Sequence, residues 1–188
     1  MQESDVKLRL GVMLGSLRKA SFNAALGRSL ATYAPSNTRI DLLPSIGMLP
    51  HYNQDILDEG IPEALAQLAE AIRAVDGVII VSPEYNWSMP GVLKNALDWL
   101  SRLNPGPLQD KPVTLFTSSP GLLGGARAHA PIRNVLLALD CKVLVKPEVQ
   151  ISQIKAKLSA DTPTITDAAT ADFVTQRLAA FSDFARRG

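Results

Sequence analysis

One cysteine and two histidines in 188 residues remove several chemistries at the outset. Cys141 has no partner for an internal disulfide, which fits a reducing, cytoplasmic setting. His51 and His129, without any Cys-x-x-Cys, do not make a closed zinc site, so no metal is expected. Charge of one sign is also missing. The 19 Lys and Arg against 18 Asp and Glu leave a net +1, interspersed, with no basic stripe for nucleic acid. No apolar run approaches the ~20 residues that cross a bilayer. The opening MQESDVKLRL lacks the basic-then-apolar order of a signal peptide, so no membrane role is expected. Three motifs are absent as well. Without G-x-x-x-x-G-K-[ST], G-x-G-x-x-G or G-x-S-x-G, the chain offers no P-loop, no dinucleotide-binding Rossmann loop and no hydrolase elbow.

What is present is the composition of an ordinary globular protein, 46% hydrophobic and 20% charged, at a length that suits one domain over 1–188. Short β-rich runs at 8–14, 38–43, 77–82, 112–118 and 141–149 alternate with helical patterns at 22–34, 61–75, 90–103, about 125–139 and 167–187. GVIIVS is apolar at nearly every position, as a parallel strand covered on both faces requires. Strict alternation predicts an α/β fold: a flavodoxin-like, doubly wound, five-stranded parallel sheet of order 2-1-3-4-5, with helices on both faces. Pro62 suits the first turn of its helix, and Asp167 with Arg186 and Arg187 opposes the macrodipole of the last one.

The loops divide by content. APSNT, AVDG, NPGPLQDK and ALDC, at one end of the strands, read as plain turns. At the carboxyl ends lie GSLRKASFN, PEYNWS and TSSPGLLGGAR. In a sheet of this order those three meet where strand order reverses, which is where ligands bind. In the first loop Gly15 permits a sharp exit, Ser16, Ser21 and Asn23 offer donors, and Arg18 offers a guanidinium that meets two phosphate oxygens at once. A helix start adds free N–H groups. A serine-and-arginine loop suits the terminal phosphate of a mononucleotide, and this fold holds FMN at that point. The alternative for this loop is an N-capping Ser21 beside a solvated arginine.

In the second loop Pro83 stiffens the exit from the strand. Glu84, Tyr85 and Asn86 then present polar groups to a flat heterocycle, with Trp87 and Met89 as apolar contact or simple packing. Ser88 is expected as N-cap with Pro90 in the first turn. The Lys94–Asp98 pair carries no chemistry, and Glu84 can also be read as a solvated loop acid. In the third loop Ser118, Ser119 and glycines let backbone approach a ligand, unless the segment is only a flexible turn. Tyr52, Asn53 and Asp55 of HYNQD are candidates for the pocket mouth, and Cys141 for the core.

Longer stretches carry a resemblance. GSLR-x-x-S-x-N at 15–23, PEYN-x-S-x-PG-x-LKNA-x-DW-x-SR at 83–102, and GGAR at 124–127 make the chain similar to the NADPH-dependent FMN reductases, a family that includes quinone, azo and chromate reductases. The resemblance implies that Ser16, Arg18, Ser21 and Asn23 hold the FMN phosphate. It implies that Pro83, Glu84, Tyr85 and Asn86 lie along the isoalloxazine, with Ser118 and Gly121 closing the far side. It further implies an NAD(P)H oxidoreductase that passes two electrons in a ping-pong cycle to quinones, azo compounds, chromate or similar small molecules, and a homodimer or homotetramer. The alternatives are a flavodoxin-like electron carrier and a flavin-binding regulatory protein. No dedicated 2′-phosphate site is legible, so NADPH and NADH stand equal as reductants. Pro131 departs from the family pattern and is expected to kink its helix or delay its start.

Overall fold

The computed structural model describes residues 6–159 and 161–187, so part of the signal-peptide reading, on residues 1–5, lies outside it. β1 (Leu8–Leu14), β2 (Thr38–Leu42), β3 (Gly77–Ser82), β4 (Pro112–Ser118) and β5 (Lys142–Ile151) form one sheet. Its order is β2-β1-β3-β4-β5, as expected, and every pairing is parallel. β3 is buried at all six positions. Its alternating side chains serve two cores: Val78 and Ile80 face one, Ile79 and Val81 the other. Burying each such side chain is worth about 1.5–3 kcal/mol.

The first core lies under α3 (Glu63–Arg73), α4 (Gly91–Leu100) and α5 (Ala126–Ala138), which bring in Leu68, Trp99 and Ile132. The second lies under α1 (Phe22–Ser29) and α6 (Ala168–Arg186), which bring in Leu26, Leu178 and Phe181. Helices cover both faces of the central strands, while the edge strands β2 and β5 stay partly exposed.

Several local expectations need correction. The helix from Phe22 stops at Ser29 and tightens into a 3₁₀ turn at Leu30–Tyr33. Pro62 and Pro90 are the N-caps of α3 and α4, one position outside the helices, where their fixed φ leads the chain in. Ser88 caps nothing; its backbone pairs with Tyr85. Cys141 sits just before β5 and is buried, and burial pushes its thiol up to about 12. Pro131 neither delays α5 nor ends it, since the helix runs from Ala126 through Pro131 to Ala138. Only the Arg127 carbonyl loses its helical donor.

Sequence periodicity gave no sign of α2 (Gln54–Glu59) or of a hairpin between β6 (Leu158–Ser159) and β7 (Thr164–Ile165). α2 organises the long segment before it. Asn53 accepts from Asp55 N–H as its cap, Tyr52 stands edge-on to Trp99 at 5.0 Å, and Trp99 Nε1 donates to the Pro50 carbonyl at 2.8 Å. HYNQD is therefore braced on α4 and does not line the crevice at the carboxyl ends. The Lys94–Asp98 ion pair forms on the exposed face of α4.

Candidate functional site

Loop one leaves β1 against the end of β3. Gly15 N–H donates to Val81 C=O at 2.8 Å, and a Cβ on Gly15 would lie 2.6 Å from Ser82 Oγ. Glycine is needed there for close approach. The chain then enters α1 with Ser21 as N-cap, its hydroxyl accepting from Ala24 N–H. The N–H groups of Phe22 and Asn23 find no acceptor among the described residues, which leaves the positive end of α1 open.

Asn23 does something its position in the sequence did not disclose. Its Nδ2 donates to Ser118 C=O at 3.0 Å, and its Oδ1 accepts from Ser118 N–H at 3.0 Å. One carboxamide thus clamps the start of α1 to the last residue of β4, 95 positions later.

The crevice so formed is about 180 Å³ in volume and lined by Ser16, Arg18, Ser21, Phe22 and Asn23 from loop one. Pro83, Glu84 and Tyr85 form a second wall, and Ser118, Ser119 and Pro120 a third. Eight of the ten residues expected from sequence meet here. Of the other two, Gly121 lines an adjoining cavity of about 280 Å³ that shares Glu84 and Ser119 with the first. Asn86 lines neither. It occupies the first of two left-handed positions, φ 49° at Asn86 and 65° at Trp87, in a tight turn closed by backbone bonds between Tyr85 and Ser88. Two consecutive positive φ values suit Asn but not Trp, so the turn is held at a cost of about 1–3 kcal/mol.

Glu84 is no solvated acid. Its Oε2 accepts from Arg127 N–H at 2.9 Å, so a carboxylate from the second loop closes the N-terminus of α5. The Arg127 guanidinium lies 4.3 Å above the Trp87 ring and 3.9 Å from Glu84 Oε1. Sequence reasoning found the GGAR turn but not this partnership, which pairs residues 43 apart. The third loop is likewise tied down. Ser119 N–H donates to Ile151 C=O, and Gln153 N–H to Gly121 C=O. At Gly124, φ is 59° and a Cβ would meet the Gln150 backbone at 2.8 Å.

Beneath this floor, His129 of α5 meets Thr117 Oγ1 at 3.0 Å. Thr117 donates to Val149 C=O, so it accepts from His129 Nε2–H. Burial, first of all, holds the imidazole below its ordinary range.

Whether FMN fits can be judged from these groups. The Ser118 hydroxyl is buried without a hydrogen-bond partner, a state that costs about 1–3 kcal/mol unless a ligand supplies one. Arg18 is exposed at the crevice with no ion-pair partner among the described residues. An open helix start, a free guanidinium and an orphan hydroxyl match a phosphate with a polar chain behind it. The first cavity is smaller than the ~300 Å³ typical of small-molecule sites. A ring along the Pro83–Tyr85 wall would need the adjoining cavity as well.

Comparison with known proteins bears on the same residues. A family model described as NADPH-dependent FMN reductase matches residues 8–156, which span all three loops. The chain is 47% identical over 182 residues to a quinone reductase of Escherichia coli (strain K12), covering 96% of this chain and 97% of that one. It is 39% identical over 183 residues to an NAD(P)H-dependent FMN reductase of Pseudomonas aeruginosa, covering 97% of each. Among solved structures, FerB, a flavoenzyme NAD(P)H:(acceptor) oxidoreductase from Paracoccus denitrificans, superposes with a TM-score of 0.87 at 36% identity, covering 96% of this chain and 98% of that one.

Proposed function

The chain belongs to the NADPH-dependent FMN reductase family, and from that membership we propose that it binds FMN in the three-loop crevice and reduces quinones with electrons from NAD(P)H. It is an FMN-dependent oxidoreductase. The observation that carries the placement is the convergence of unpartnered groups, Arg18, Ser118 Oγ and the first N–H groups of α1, on one cavity. Bound FMN supplies a two-electron carrier that accepts hydride from NAD(P)H and releases the electrons to an oxidised acceptor.

The protein's part is placement. Arg18 and Ser16, with the open N–H groups of Phe22 and Asn23, bind the phosphate. Ser21 and Asn23 act one step behind: Ser21 fixes the helix start, and Asn23 fixes the distance between loop one and Ser118. Ser118 offers its hydroxyl to the ligand. Pro83, Glu84 and Tyr85 form the wall for the ring, and Glu84 holds that wall to α5 through Arg127. Asn86 keeps the turn that presents Tyr85, and Gly121 borders the adjoining cavity. No side chain is assigned as acid or base.

Assembly into a homodimer or homotetramer belongs to the same proposal. What supports it is a set of large exposed apolar side chains, Trp87, Leu122 and Met48 at 70%, 79% and 74%, which a partner chain would cover. Light scattering that returned the mass of one chain would remove this part. Free Cys141 supports a reducing, cytoplasmic setting.

The test is direct. Purified protein supplied with FMN is expected to hold it and to lose its yellow absorbance on anaerobic NADPH. The colour should return on adding a benzoquinone. Retained colour after NADPH would overturn the reductase reading in favour of a carrier. An Arg18→Ala protein should bind FMN about ten- to a hundredfold more weakly, the loss of one charge-assisted contact. Undiminished affinity would overturn the phosphate placement.

A further inference from the structure

The first turn of α5 is held by few groups, and the crevice leans on it. Its N-cap is Gly125, at φ 87° and without a side-chain cap, and this glycine lines the adjoining cavity. A Cβ on Gly125 would lie 2.8 Å from Thr117 Cβ, so the helix start rests directly on Thr117. One turn on, His129 is only 3% exposed and donates from Nε2 to Thr117 Oγ1 at 3.0 Å. Pro131 removes the donor that the Arg127 carbonyl would otherwise meet inside the helix. The His129 side chain is therefore an added tie where the helix ladder lacks one.

Between those two contacts lies Arg127, whose N–H donates to Glu84 Oε2 at 2.9 Å. Glu84 lines both cavities, and with Pro83 and Tyr85 it forms the wall assigned to the flavin ring. Thr117 thus seats α5, and α5 holds the wall. A proton on His129 works against this arrangement. Burial opposes the charged ring most. Glu148 and the Val149 carbonyl favour it, while Arg133 and Arg177 repel it. Glu148, however, is already engaged by Arg133 and by Gln150. Among the described residues an imidazolium at Thr117 has no carboxylate of its own.

We propose that His129 is a positioning residue for the flavin wall, and that a proton on it loosens the first turn of α5, so that the chain holds FMN less tightly in acid than at neutral pH. The inference rests on the FMN placement above and gives a part in it to a residue outside the crevice. Neutral His129 keeps the helix start on Thr117, and Glu84 stays aligned with the Arg127 N–H. The charged ring is driven out of its buried place, and the wall loses that support. FMN then binds the neutral form more tightly. Affinity is complete above about 6.5, the ordinary histidine value, and falls as pH drops through the lower folded value. Bound FMN in turn holds the proton off.

FMN affinity tests this, read from flavin fluorescence at neutral pH and at the lowest pH that leaves the circular dichroism unchanged. Wild type is expected to lose up to about tenfold in affinity per pH unit beyond what His129→Gln loses. Glutamine keeps an N–H for Thr117 and does not titrate. The variant is also the baseline for the flavin phosphate, which takes up a proton at about pH 6 in either protein. Linkage requires the converse: the His129 imidazole resonance, identified by its loss in His129→Gln, should titrate at lower pH with FMN than without. Thr117→Val should weaken FMN severalfold already at neutral pH. Parallel pH profiles for wild type and His129→Gln would overturn the proposal. So would one titration midpoint with and without FMN, a resonance that does not titrate while the chain is folded, or unchanged affinity in Thr117→Val. A chain that takes up no FMN at neutral pH defeats the functional reading itself; one that binds it without this pH dependence defeats only the role of His129.

Discussion

β4 buries a hydroxyl at each end, and the two have opposite fates. Near its start, Thr114 Oγ1 accepts from Arg177 Nη2 at 2.9 Å. At its end, Ser118 Oγ has no partner. The Thr114 end is closed by protein. The β4–β5 register shifts between Thr114 and Phe116, which frees carbonyls of β5, and buried Arg177 donates to those of Leu144 and Lys146. Only its Nε lacks a partner. Burial lowers the guanidinium to about 10, so it stays charged at neutral pH. A buried charge whose fork is engaged is scaffold; a buried hydroxyl left over where three loops meet marks a site. Polarity alone does not separate the two; a missing partner does so only together with a place at the crevice, since Thr38 and Ser182 also bury hydroxyls without partners.

The contrast can be broken most forcibly at its closed end. Arg177→Met leaves the Leu144 and Lys146 carbonyls unpaired and is expected to cost about 1–3 kcal/mol for each of them in urea unfolding, with FMN affinity of the folded protein little changed. A tolerated substitution would show that the network is dispensable. Asn23→Ala joins the two ends of the comparison. It should cost about 2 kcal/mol, two buried hydrogen bonds, and also weaken FMN binding, because loop one is no longer clamped to Ser118. A stability loss without weaker FMN binding would separate clamp from site.

Beneath the floor, acid provides the next test. His129 is held below its ordinary value near 6.5, so its neutral form is favoured on folding. Its contribution is complete above about 6.5 and is lost as pH falls through the lower folded value, since the unfolded chain then binds the extra proton. Thermal midpoints should fall between pH 7 and pH 5, and His129→Gln should flatten that decline. An identical slope in the variant would place the acid sensitivity elsewhere. The smallest effect belongs to the open end. Ser118→Ala should leave stability within about 0.5 kcal/mol or raise it slightly, since it removes an unsatisfied group, while FMN binding weakens severalfold. Unchanged FMN affinity would mean that the hydroxyl does not meet the ligand.

The fold was legible because burial writes itself into local pattern. GVIIVS reads as a doubly covered strand, and Leu65, Leu68 and Ile72 repeat at helical spacing. The candidate crevice was legible where its parts are contiguous: Ser16, Arg18, Ser21 and Asn23 line it from one loop and Pro83 to Tyr85 from another. Partnerships between distant residues were not. Nothing near Glu84 says that its carboxylate closes a helix 43 residues on, and nothing near Asn23 names Ser118 as its partner. HYNQD looked like a pocket mouth because Tyr, Asn and Asp are common in sites. Packing on Trp99 and capping of α2 claimed them instead.

By itself the sequence determined the alternation of elements, the strand ends that carry chemistry and the family, since each depends on residue type at fixed local spacing. Only the tertiary structure decided which polar groups stay free. That outcome depends on what every other donor and acceptor has already paired with, as Asn23 is taken up by Ser118 and Arg177 by β5. The Ser118 hydroxyl stands out because it is left over from that pairing, as the Thr38 and Ser182 hydroxyls are, and also lies at the crevice.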